Sequence, residues 1–107
     1  MTEPHPLDRL FETIASRKGA DPSTSYTAKL FSQGVLKIAK KLGEEGVETA
    51  LAAVAQDKQA LASESADLLY NLLVLWAACG LDPREAYAAL EARAGKSGYE
   101  IKAANKE

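Results

Sequence analysis

Apolar positions along this chain recur every three or four residues almost throughout, the period of an amphipathic helix and not of a strand. Leu7, Leu10, Phe11 and Ile14 mark a first helix over Leu7–Lys18, which Gly19 ends. Residues 19–25 read as a loop with Asp21-Pro22-Ser23 as its turn signal. Ser25 is placed to cap a short helix, Tyr26–Gln33, that stops at Gly34. A long helix then runs from Val35 to about Gln56, and a second one covers Lys58–Cys79, closed by Gly80. Asp82 at the N-cap, Pro83 at the first helical position and Glu85 at the third start a last helix, ending near Ala94-Gly95. Lys96–Glu107 reads as a polar tail.

The period breaks down in one place. Leu68, Leu69, Leu72, Leu73, Val74, Leu75 and Trp76 leave no polar face between Ala66 and Cys79. Such a helix is buried on every side or spans a membrane. The run is short of the ~20 residues a span needs, and Asp67 and Asn71 interrupt it. Four substantial helices leave little protein to surround it, so a homodimer is expected to complete the core.

Composition agrees with this pattern. The chain has 107 residues, 47% hydrophobic and 26% charged, as in one globular domain. With Ala and Leu dominant, the fold is expected to be all-α, a helical bundle of four to five helices in a single domain over 1–107 with an ordered core at about 7–95. A formal net charge of −2 argues against nucleic-acid or membrane-surface partners. Cys79 is the single cysteine, so no intrachain disulfide can form, and its apolar neighbours predict a buried, inert thiol. Met1–Pro6 lacks signal-peptide features, which points to the cytoplasm.

The chemistry lies in two acidic motifs. Glu45-x-x-Glu48, preceded by Glu44, falls on one long helix, and Glu64-x-x-Asp67 on the next. Residues three apart project from nearly the same helix face. If the two helices pack antiparallel, Glu45, Glu48, Glu64 and Asp67 converge. Crowding carboxylates is costly unless a cation neutralises them, and all-oxygen ligation suits Mg²⁺. Taken alone, Lys37, Lys41, Glu44 and Glu48 read as a solvated stripe of weak Lys–Glu pairs. Glu45 is different, because it shares a face with Val35, Ile38 and Leu42 and needs a partner there. Asn71 continues the face of Glu64 and Asp67. Iron or zinc in a bundle uses Glu-x-x-His pairs, and the single histidine, His5, reads as an exposed residue without a role. No Ser–His or Cys–His nucleophile can be assembled. Arg17, Lys18, Lys29, Lys37, Lys40, Lys41, Arg93 and Lys96 are cations available to phosphates. Arg93-Ala94-Gly95-Lys96-Ser97-Gly98 adds a hydroxyl and two glycines that allow close backbone approach.

The order of these residues resembles a known family. Arg17-Lys18, Asp21-Pro22, Ser25-Tyr26-Thr27-Ala28-Lys29-Leu30, Gly34, Lys37-Ile38, Lys41-Leu42-Gly43-Glu44-Glu45, Glu48, Glu64-Ser65-Ala66-Asp67-Leu68-Leu69-Tyr70 and the Arg93–Glu100 tail follow the phosphoribosyl-ATP pyrophosphatases of histidine biosynthesis. These belong to the MazG-like all-α nucleotide pyrophosphatases. The resemblance covers about Leu7–Lys102; the acids mark the superfamily, and the Ser25–Lys29 segment with Ser97-Gly98 marks the histidine-pathway member. It implies a stand-alone, Mg²⁺-dependent enzyme that hydrolyses phosphoribosyl-ATP to phosphoribosyl-AMP and pyrophosphate. Glu45, Glu48, Glu64 and Asp67 would be the metal ligands. Glu44, Glu45 and Glu48 would be catalytic, with Glu44 in the outer shell or orienting water. Arg17, Lys18, Lys37, Lys41, Asn71, Arg93, Lys96 and Ser97 would bind substrate. A house-cleaning nucleoside triphosphate pyrophosphatase would keep the acids without needing the Ser25–Lys29 segment, and a non-catalytic dimerisation module would leave the acids unexplained.

Overall fold

A computed structural model describes residues 5–95, and the polar tail expected at Lys96–Glu107 lies outside them. The described residues are all-helical: α1 Pro6–Ser16, α2 Tyr26–Gln33, α3 Val35–Val54, α4 Lys58–Cys79 and α5 Pro83–Ala92. The caps explain the boundaries. His5, which reads as idle in the sequence, caps α1 instead, its Nδ1 accepting the Leu7 N–H at 3.1 Å. Ser25 caps α2 and Asp82 caps α5 with a reciprocal Glu85 capping box. α1 and α3 each end two residues before their expected limits, and α5 ends at Ala92.

α3 and α4 form a tight antiparallel hairpin. At its turn the Asp57 N–H reaches Ala52 O at 3.3 Å and the Gln56 N–H reaches Ala53 O at 3.0 Å, the paired bonds of a Schellman motif. Gln56 occupies the left-handed position (φ 58°), where glycine is usual. Asp57 then caps α4 by accepting the Ala60 N–H at 3.0 Å. With only Ala55–Asp57 between them, the two helices must lie alongside one another, and they make the most extensive contact in the fold.

The core is small. Ile14, Leu30, Ile38, Leu73, Val74 and Ala77 form it, with Leu7, Leu10, Phe11, Phe31, Tyr70 and Trp76 packed around. α4 thus meets α1, α2 and α3 on different sides, which absorbs much of its all-round apolar surface. Two readings need correction. Cys79 is exposed, because it is the last residue of α4 and clears the packed helices. The large uncovered apolar side chains lie chiefly on α3, where Leu36, Val47, Leu51 and Val54 are 86%, 60%, 61% and 79% exposed. On α4, Leu69 is 41% exposed. Positions 36, 47, 51 and 54 fall on one stripe of α3, on the side away from buried Ile38 and Ala52. No described helix is long and apolar enough to cross a membrane.

Candidate active site

The hairpin places the acids. Because α3 and α4 run antiparallel, Glu45 and Glu48 come opposite Glu64, and carboxylate oxygens of all three lie within 4.8 Å of one another. Glu45 and Glu64 are half-buried and Glu48 is exposed. Asp67 does not join this trio: one methylene shorter, it stays exposed a turn further along α4. Its charge is nevertheless felt at Glu64. Burial of the Glu64 carboxyl, then the hydrogen bond and charge of Glu48, then the charges of Glu45 and Asp67, push its pKa above the ordinary glutamate value. Glu44 is exposed and outside the trio.

Among the described residues, the buried side-chain atoms without a partner are Glu45 Oε2, Glu64 Oε2 and Asn71 Oδ1, all on the facing helices α3 and α4. Buried acceptors left unpaired are costly. Two of the three belong to crowded carboxylates, a donor set of hard oxygens that fits Mg²⁺. Asn71 is 4% exposed, and its orientation is fixed because Nδ2 donates to Asp67 O at 2.8 Å. Its Oδ1 is therefore an acceptor held in reserve.

The cations divide. Lys41 is half-buried, with Nζ 3.9 Å from Glu45 Oε1. The Tyr26 phenol beside it is the main influence raising the Lys41 pKa; desolvation opposes this, and Glu45 and Glu44 add to it. Lys37, Arg17 and Arg93 are exposed, the last two at the C-caps of α1 and α5. Lys18 is turned elsewhere: its Nζ donates to Ala77 O at 3.1 Å, helping to close the C-terminal end of α4. Lys96 and Ser97 lie outside the described residues. Sequence reasoning missed two cross-links. Thr27 Oγ1 hydrogen-bonds the Tyr70 hydroxyl, tying α2 to α4, and the Tyr87 hydroxyl donates to Asp8 Oδ1 at 3.0 Å, tying α5 to α1. Tyr70 directly follows the acidic motif's Leu68-Leu69, a polar tip at the edge of an apolar run, which is the one signal that pointed to it.

Residues 7–94 match the family profile described as phosphoribosyl-ATP pyrophosphohydrolase. The chain is similar to the phosphoribosyl-ATP pyrophosphatase of Azospirillum brasilense, 60% identical over 94% of this chain and 90% of the relative. It is likewise 60% identical to that of Parvibaculum lavamentivorans over 94% of this chain and 93% of the relative. The Paracoccus denitrificans protein of the same name is 52% identical over 99% of this chain and 100% of its own length.

Proposed function

The chain belongs to the phosphoribosyl-ATP pyrophosphohydrolase family, and we propose that it is the Mg²⁺-dependent enzyme hydrolysing phosphoribosyl-ATP to phosphoribosyl-AMP and pyrophosphate in histidine biosynthesis. The observation that carries the metal-dependent reading is the convergence of Glu45, Glu48 and Glu64 with buried, unpartnered oxygens on two of them. A dication is the partner these oxygens lack, and bound there it would offset charge building on the leaving pyrophosphate.

The residues have separable tasks. Glu45, Glu48 and Glu64 would hold the cation, and Asp67, exposed on the next turn of α4, would add a further carboxylate to its surroundings. Glu44, exposed beside them, accepts a proton from the attacking water or orients it. Lys41, paired with Glu45 at 3.9 Å, would be the cation nearest a phosphate held at the acids. Lys37 lies one turn further along α3 and extends this cationic edge. Asn71 Oδ1 accepts a hydrogen bond from bound substrate or its water. Arg17, Arg93, Lys96 and Ser97 complete the phosphate contacts. The chain acts as one catalytic domain, paired as a homodimer through the α3 stripe, in the cytoplasm, without nucleic acid or membrane.

The test is pyrophosphate release, with and without Mg²⁺, from phosphoribosyl-ATP and from a panel of nucleoside triphosphates. The reading requires metal-dependent turnover with phosphoribosyl-ATP strongly preferred. A preference for plain triphosphates would make it a house-cleaning pyrophosphatase. Full activity in chelator would remove the metal.

A further inference from the structure

We propose that the open groove between the 21–25 loop and α2 is the subsite for the substrate's ribose 5-phosphate, with Lys29 as its cation. The proposal rests on the activity read above and names the part of the site that separates this substrate from a plain triphosphate. Phosphoribosyl-ATP carries a phosphomonoester on a second ribose. A carboxylate cluster repels that dianion, so its subsite must offer donors, lie outside the acids and keep a fixed relation to them.

The groove meets these conditions. It is a shallow groove of about 700 Å³, wide open to solvent, lined by Pro22, Ser23, Thr24, Ser25, Tyr26, Lys29 and Ser32. Lys29 is exposed and forms no ion pair among the described residues. Asp21, just before the groove, is turned to Ser23, its Oδ1 accepting the Ser23 N–H at 2.9 Å and the Ser23 hydroxyl at 2.8 Å. These bonds favour its charged form, so the Lys29 ammonium must outweigh it. A phosphate in the groove would meet the Lys29 ammonium and the Ser25 hydroxyl, whose Oγ accepts the Ala28 N–H and keeps its proton free. The Ser23, Thr24 and Ser32 hydroxyls, already donating within the loop and α2, would accept from the ribose.

The groove is also rigidly joined to the acids. Tyr26 lines it and lies beside Lys41, whose ammonium is 3.9 Å from Glu45. Ala28 and Leu30 root α2 in the core, and the Thr27–Tyr70 hydrogen bond fixes it to α4 one turn beyond Asp67. Arg17, Lys18 and Arg93, expected from the sequence to bind substrate, do not line the groove. Lys18 is spent on Ala77 O, and Arg17 and Arg93 stand exposed at helix ends.

Amide NMR of the full chain titrated with ribose 5-phosphate tests this without using turnover. Saturable shifts should centre on Ser23–Lys29. Lys29→Met should weaken binding tenfold or more, whereas Glu64→Gln should leave it within twofold. In kinetics, Lys29→Met should raise KM for phosphoribosyl-ATP by a similar factor, with a smaller change in kcat. Absence of groove shifts at millimolar ligand, shifts that survive Lys29→Met, or shifts lost equally in Glu64→Gln would overturn the subsite. If ribose 5-phosphate binds the groove but phosphoribosyl-ATP is not hydrolysed, the activity reading fails and the groove stands.

Discussion

Replacing Leu51 by Glu should split the protein into folded monomers. Leu51 lies on the α3 stripe with Leu36, Val47 and Val54. Their exposures of 61%, 86%, 60% and 79% amount to nearly three whole apolar side chains left in water on each copy. At roughly 1.5–3 kcal/mol per side chain fully buried, covering the stripe on two copies is worth about 9–17 kcal/mol. That range overlaps the ~4–15 kcal/mol that association costs in lost motional freedom, so further contacts such as Leu69 are needed for a tight dimer. Leu51 contributes about 1–2 kcal/mol per copy from its exposed fraction. Two-fold symmetry doubles every substitution. Its loss therefore costs at least about 2–4 kcal/mol of dimerisation, a weakening of roughly 30- to 1,000-fold, and an unpaired buried carboxylate adds to this. Sedimentation velocity across micromolar and nanomolar concentrations reads the dissociation constant, while circular dichroism should show the helices intact, since Leu51 touches little of its own core. A dimer constant unchanged in Leu51→Glu, or a monomeric wild-type chain at micromolar concentration, would refute the reasoning.

Other consequences follow from single residues. Glu64 has its pKa raised in the fold, so the folded chain binds the proton more tightly than the unfolded one. Its contribution to stability is full below the ordinary glutamate pKa and is lost as pH rises through the elevated value. Without metal, Glu64→Gln should therefore melt higher than wild type at neutral pH and show a flatter melting profile as pH rises above the ordinary glutamate range. Mg²⁺ should raise the Tm of wild type and leave that of the variant nearly unchanged; a wild-type-like pH profile would mean that the carboxyl is not crowded. Gln56→Gly should raise stability by about 0.5–1 kcal/mol in urea melts, because the left-handed penalty of ~1–2 kcal/mol exceeds the entropic cost of glycine. A loss of stability there would mean that the Gln56 side chain makes a contact worth more than the strain. Asn71→Leu should gain about 1 kcal/mol by removing an unpaired buried acceptor, yet lower kcat/KM for phosphoribosyl-ATP. Destabilisation with normal kinetics would assign Asn71 to packing alone.

Much of this was legible in the sequence because the determinants are local. Ser25, Asp82 and the glycines at 34 and 80 mark helix ends through their own backbone chemistry, which needs no knowledge of distant residues. The acid trio was legible for a related reason: a three-residue spacing fixes a helix face, and a short connection forces the two faces together. What escaped depends on the far side of a contact. Lys18 is a cation at a helix end in sequence, and only the approach of α1 to α4 shows that its partner is a carbonyl oxygen. Thr27 and Tyr70 are 43 residues apart, and nothing local joins them. Asp67 shares the spacing of its motif but has the shorter side chain, and spacing carries no information about reach.

The misplaced apolar surface carries the most physical content. In sequence the all-round apolar stretch of α4 stands out, while the apolar residues of α3 are diluted by lysines and glutamates. Hydrophobicity alone therefore assigned the uncovered face to α4. The fold reverses this, because burial depends on neighbours: α4 is met by α1, α2 and α3, whereas the outer side of α3 is left uncovered among the described residues. α3 thus has two opposed duties. One face aims Glu45 and Glu48 at α4, and the other exposes Leu36, Val47, Leu51 and Val54, the stripe on which the proposed dimer would form. A partner seated on that outer face would press α3 against α4, along the direction that closes the carboxylates on their cation. Metal affinity and dimerisation are then linked through one helix, and linkage is reciprocal. Mg²⁺ should tighten the dimer, and Leu51→Glu should weaken Mg²⁺ binding although Leu51 is not itself a ligand. Calorimetric titration of Mg²⁺ into wild type and Leu51→Glu decides the matter: equal affinities in dimer and monomer would show that the two faces of α3 act independently.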